Sequence, residues 1–197
     1  MLATMLALAA APSVSEAKTI LVIGTHPDDE TLMSAGRSRT ALTAGDTIKV
    51  AIVTNGDAGG VTTGLNREAA AVGSAQALGL REQDVIFLGY PDGSMRDIYD
   101  STSGTQVFTS QAGQTSTYGN RGLGGMDYHR YLTGTSAPYN RNSVASDLQA
   151  LITNFRPDEI YTHSAFEGHV DHEAVALFVT EALASLRRSG SNLAIKL

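Results

Sequence analysis

The chain has 197 residues, enough for one domain with a full hydrophobic core. With 42% hydrophobic and 17% charged residues it reads as a globular protein rather than a disordered one. A net charge of −6 with no block of basic residues argues against nucleic acid or an anionic membrane as partner. The lack of cysteine excludes disulfides, thiolate metal ligands and a cysteine nucleophile.

Met1 to Pro12 is rich in Ala, Leu and Met and carries no charged side chain. Ser15 and Ala17 place small residues just before Lys18. Residues 1–17 therefore read as a secretory signal peptide, though one lacking the usual positively charged start. That reading makes the remainder, 18–197, a secreted or extracytoplasmic domain. The apolar stretch is too short to span a membrane. An ordinary N-terminal helix is the alternative.

Next come alternating elements. Strands are predicted at 19–24, 47–54, 84–89 and 159–162, with a weaker fifth at 193–196. Helices are predicted at 29–44, 66–79, 142–155 and 172–188. Gly45-Asp46 and Gly79-Leu80 read as helix stops followed by strand entry. Strands alternating with helices predict parallel βαβ units: an α/β fold, a Rossmann-like three-layer sandwich with a mostly parallel sheet. Residues 96–141 break the pattern, being rich in Gly, Ser, Thr and Tyr with little apolar periodicity. Tyr99, Tyr118, Tyr128, Tyr131 and Tyr139 argue against disorder. A long loop of this kind has two readings. It folds over the open side of a site and offers aromatic faces to sugar units, or it covers a sheet edge.

Two clusters carry chemistry. Thr25-His26-Pro27-Asp28-Asp29-Glu30 follows the first strand, and Gly168-His169-Val170-Asp171-His172 follows the fourth. In an open α/β sheet both strand ends face the same ligand crevice. One imidazole and one carboxylate from the first cluster, with one imidazole from the second, make a three-ligand site with an open position, the pattern of catalytic zinc. Taken singly, each cluster has a plain reading. His-Pro-Asp-Asp is a turn with a helix cap, and two histidines three apart near a helix start are surface residues.

These residues resemble the PIG-L/LmbE-like deacetylases. His26-Pro27-Asp28-Asp29-Glu30 after the first strand and His169-Val170-Asp171-His172 late in the chain carry the likeness. Val53 to Gly59, Arg67-Glu68, Ala77-Leu78-Gly79 and Tyr90-Pro91-Asp92-Gly93 are similar to the family's later turns and helix. The resemblance covers roughly 18–95 and 142–186, and nothing in 96–141. The chain stops earlier than the family leads one to expect, which points to a missing C-terminal part.

The resemblance implies a zinc-dependent enzyme that hydrolyses the N-acetyl amide of an N-acetylglucosamine-type sugar, a mono- or oligosaccharide, and releases acetate. It implies His26, Asp29 and His172 as ligands of one Zn2+. Adjacent carboxylates on extended backbone point in different directions, which leaves Asp28 as general base on water and later acid to the amine. His169 would stabilise the oxyanion, and Asp171 would orient an imidazole. Arg67 and Asp92 would hold sugar hydroxyls, against plain readings as a surface Arg and a turn Asp. His163 reads as a hydrogen-bonded structural residue, Asn55 and Asp57 as turn residues near the site, and His129 has no role. Two His and one carboxylate also suit a non-haem Fe2+ enzyme. A sugar-binding module without catalysis is the third reading, although such a module has no need of Asp28.

Overall fold

The computed structural model describes residues 16–197, so the apolar start behind the signal-peptide reading, residues 1–15, lies outside it. Four strands form one parallel sheet: β1 (Thr19–Gly24), β2 (Thr47–Thr54), β3 (Val85–Tyr90) and β4 (Glu159–Thr162). Their order is β3-β2-β1-β4. β1 lies inside, with Thr19 opposite Thr47 of β2 and Ile20 opposite Glu159 of β4. The helices are α1 (Asp29–Ala44), α2 (Val61–Leu78), α3 (Met95–Asp100), α4 (Tyr128–Thr133), α5 (Arg141–Phe155) and α6 (Val170–Arg188).

Successive strand residues face opposite sides, and each side has its own core. Leu21, Ile23, Val53, Ile86 and Leu88 pack with Leu148, Leu151 and Ile152 of α5 and Val175, Phe178 and Val179 of α6. Ile20, Val22, Ile48, Val50, Ile52 and Phe87 pack with Ala41 of α1 and Ala71, Val72 and Ala75 of α2. Helices on both faces are why β1 reads as an unbroken apolar run. The protein is thus an α/β three-layer sandwich around a parallel sheet. α1 begins with Asp29 and Glu30, whose negative charge suits a helix N-terminus. α1 and α2 stop at Gly45 and Gly79, both in the left-handed conformation.

Apart from shifts of one or two residues, three features differ from expectation. α2 starts at Val61 rather than at 66, its first turn closed by the Gly64 N–H donating to the Gly60 carbonyl at 3.1 Å despite the poor helix propensity of Val61-Thr62-Thr63. The fifth strand shrinks to one bridge between Lys196 and Glu159, in which the Ile160 N–H donates to the Lys196 carbonyl at 2.8 Å. The segment 96–141 is ordered and contains α4 together with most of α3.

That segment does not fold over the cleft described below. It lies against β3, an outer strand of the sheet. Tyr128 and Tyr139 are buried in the core shared with α5 and α6, and Asn154 donates to the Tyr128 hydroxyl at 3.0 Å. The sugar-platform reading therefore gives way to the sheet-edge one. Tyr128 and Tyr139 are large apolar bodies that the core absorbs, while Tyr131 stays exposed.

Glu68 of α2 anchors the segment: its Oε2 accepts the Asn120 N–H at 3.0 Å, and its buried Oε1 has no partner among the described residues. Burial pushes the Glu68 carboxyl from 4.5 up to about 7, against the pull of the Asn120 and Arg121 amides. The folded state therefore holds this proton more tightly than the unfolded one. The stability this contributes is complete below pH 4.5 and is lost as pH rises to about 7. Glu68→Gln keeps the acceptor and cannot ionise. It is expected to flatten the fall in melting temperature across that window, whereas profiles parallel to the wild type would show that Glu68 is not the titrating group.

Candidate metal centre

The C-terminal ends of the strands converge on one crevice, as expected for an open parallel sheet. Just past β1 the chain turns on Asp29, whose Oδ2 accepts the backbone N–H of His26 at 2.7 Å and of Thr25 at 3.1 Å. This turn sets His26 and Asp29 side by side, both nearly buried. Because β4 pairs with β1, the start of α6 reaches the same point and delivers His172.

Three donor atoms then meet. His26 Nδ1 lies 3.1 Å from His172 Nε2 and 3.4 Å from Asp29 Oδ2, and His172 Nε2 lies 3.4 Å from Asp29 Oδ2. Tetrahedral bonds of about 2.0–2.1 Å to zinc separate neighbouring ligand atoms by about 3.3 Å. The triangle therefore fits such an ion in both size and donor type. Other groups of three also bring donor atoms within 4.8 Å of one another: His26, His169 and His172; Asp29, His163 and His172; His26, Asp92 and Asp171.

The surrounding acids fix which nitrogen is free. A carboxylate only accepts, so the ring nitrogen facing it carries the proton. His26 Nε2 lies 3.1 Å from Asp92 Oδ1, which leaves Nδ1 to ligate. His172 Nδ1 lies 3.0 Å from Glu167 Oε1, which leaves Nε2. The other Glu167 oxygen lies 2.9 Å from Nδ1 of His163, whose Nε2 lies 3.2 Å from Asp29 Oδ2. Glu167 thus clasps two imidazoles at once. Sequence reasoning passed it over, since a single acid in a polar loop carries no motif. Its only signal is its place five residues before His172.

Charge in the site favours a cation. Burial alone lowers the His26 pKa, but Asp171, Asp29 and Asp92 outweigh it and push it up to about 11. Burial raises the Asp29 carboxyl, yet His163 and His26 hold it well below the usual range. Burial keeps His172 below its ordinary value despite Glu167. Without metal, the proton on His26 meets the negative charge. An ion held at Nδ1 would displace that proton.

The other expected residues fall as follows. Asp28 is turned outward, 57% exposed, and held by Arg67 Nη2 at 3.2 Å. Arg67 also donates to the Gly56 carbonyl at 3.3 Å and lies 3.8 Å from Asp92 Oδ2. His169 is exposed, and its ring stacks on that of His172 with centroids 4.2 Å apart. Asp171 is fully buried and accepts the N–H groups of Gly93 at 2.6 Å and Met95 at 3.0 Å. It stands 3.6 Å from His26 Nε2, farther than Asp92. His26, Asp28, Asp29, Leu32, Arg67, Asp92, His169 and His172 line one cleft of about 300 Å³. A larger hollow beside β4, lined by Tyr161, His163, Ala176 and Leu197 among others, holds none of these groups.

Comparison with known proteins decides the family. The sequence model described as "PIG-L: GlcNAc-PI de-N-acetylase" matches residues 21–183. The chain belongs to the PIG-L family. No curated protein sequence matches it. Solved structures share the PIG-L fold at low identity. The N,N'-diacetylchitobiose deacetylase of Pyrococcus horikoshii matches with a TM-score of 0.55 and 20% identity, over 91% of this chain and 53% of that one. The 4-carboxy-2-hydroxymuconate hydratase GalB of Pseudomonas putida gives 0.56 and 15%, over 88% and 59%. A zinc-inhibited teicoplanin deacetylase gives 0.52 and 18%, over 84% and 64%. This PIG-L chain thus spans between half and two thirds of the length of these structures. A hydratase among them shows that the fold alone does not set the reaction.

Proposed function

We propose that this PIG-L protein is a zinc-dependent N-deacetylase that hydrolyses the acetamide of an N-acetylglucosamine-type sugar. The observation that carries the reading is the triangle of His26 Nδ1, Asp29 Oδ2 and His172 Nε2, with edges of 3.1–3.4 Å, on the floor of an open cleft. His26, Asp29 and His172 would hold the ion. When bound, it polarises the amide carbonyl and lowers the pKa of water to about 7.

The side chains supply the rest. Asp28 lies at the cleft with its carboxylate fixed by Arg67. It takes a proton from the attacking water and returns it to the departing amine nitrogen. Arg67 holds Asp28 in place, and together with Asp92 forms the polar wall beside it. His169 also lines the cleft. Protonated, it donates to the former carbonyl oxygen as negative charge gathers there. Asp171 sits behind the site and braces the loop that carries Asp92.

The test uses purified protein and N-acetylglucosamine with its short oligomers. Acetate and free amine should appear in equal amounts, stop with a chelator and resume when zinc is restored. A protein that binds one zinc per chain yet releases no acetate from any N-acetylated amino sugar would remove the substrate assignment.

A further inference from the structure

Asp92 links the candidate ligand to the candidate base, because its two oxygens face His26 at 3.1 Å and Arg67 at 3.8 Å. Its carboxylate can serve only if the loop beneath it is fixed. On one side Asp171 accepts the next amide, that of Gly93. On the other, the Asp92 N–H donates to Asp57 Oδ1 at 3.0 Å. Asp57 is itself buried, and its second oxygen accepts the Tyr118 hydroxyl at 2.9 Å.

Tyr118 belongs to the segment 96–141 and is not among the residues lining the cleft. It is nevertheless fitted closely into place. Asn55 donates to its carbonyl at 2.9 Å. A Cβ on Gly89 would stand 2.5 Å from that carbonyl, and one on Gly64 would stand 2.9 Å from the hydroxyl. Burial and the neighbouring Asp57 push the phenol above its ordinary pKa, so it remains a donor.

We infer that Tyr118 is a positioning residue for the metal centre, holding Asp92 against His26 through Asp57 and the Asp92 backbone. This rests on the metal-centre reading above. A buried carboxylate that loses a hydrogen bond to one oxygen must find another partner, and Asp57 can do so only by shifting. Its other oxygen then moves the Asp92 amide, and with it the carboxylate that fixes the His26 ring. The segment that neither carries a ligand nor lines the cleft thereby sets the quality of the site from behind.

The experiment compares wild type, Tyr118→Phe and Tyr139→Phe by zinc competition against a chromophoric chelator, with kcat and KM for an N-acetylated sugar. Tyr139 is the control. It lies in the same segment, is fully buried, and its hydroxyl has no partner among the described residues. Tyr118→Phe is expected to weaken zinc about tenfold, the lower end for outer-shell partners of a metal ligand, and to lower kcat while KM stays. Tyr139→Phe should bind zinc as the wild type does. Equal zinc affinity in wild type and Tyr118→Phe overturns the inference. So does an equal loss in both variants, which would mean only a loosened segment. A wild type that takes up no zinc overturns the metal-centre reading itself and this inference with it.

Discussion

His172→Ala is expected to give a folded protein that retains no metal. His172 Nε2 is one of three donors, and a site left with two loses far more than the about 10–100-fold that outer-shell changes cost. The side chain is partly accessible and sits in the first turn of α6, so its loss leaves little cavity. His26→Ala should lose the metal too, but it is the harsher variant. It strips Asp29, Asp92 and Asp171 of their shared partner. Breaking a buried pair by removing one member costs about 3–5 kcal/mol. Metal content per chain after gel filtration is the measurement, with melting temperature beside it. Full retention in both variants would place the ion outside this triangle, whereas retention in His26→Ala alone would point to Asp29, His163 and His172.

Asp28→Asn should separate chemistry from binding. The side chain points outward onto Arg67 and makes none of the close contacts of the triangle, so metal content should stay at the wild-type value. Acetate release should fall by about 10² or more, the usual contribution of a general base. The melting temperature should barely move, because an exposed pair with Arg67 contributes little. Loss of metal in Asp28→Asn with retention in Asp29→Asn would mean that the two carboxylates have been assigned the wrong way round.

The strands were legible because both faces of the sheet are covered, so Ile20-Leu21-Val22-Ile23 has no polar residue to blur it. His26, Asp29, His169 and His172 were legible as a group because each cluster follows a strand whose end faces the crevice. Glu167 was not, and Asp92 was read as a sugar contact rather than as the partner of His26. Their roles depend on which ring lies beside which carboxylate, and that depends on β4 pairing with β1. Sequence pattern alone does not order strands. The segment 96–141 was opaque for a related reason. It is held by scattered long-range pairs, such as the Phe108 N–H on the Tyr139 carbonyl and the Thr117 N–H on the Ala137 carbonyl. Such pairs leave no period of two or 3.6 to read. The edge bridge at Lys196 looked like a strand because Leu193 to Ile195 is apolar, yet only Lys196 and Glu159 pair.

The strand order has a consequence for how the protein is made. β1, β2 and β3 are neighbours in the sheet and follow one another along the chain, whereas β4 joins β1 only after a further stretch that includes α3, α4 and α5. Chains fold from the N-terminus as they are synthesised, and contacts distant in sequence form late. His26 and Asp29 therefore take their places on a nascent sheet whose outer flank beside β1 is still bare. His172, 146 residues beyond His26, arrives with α6. A nascent chain that has not yet made α6 would therefore carry only two of the three candidate donors.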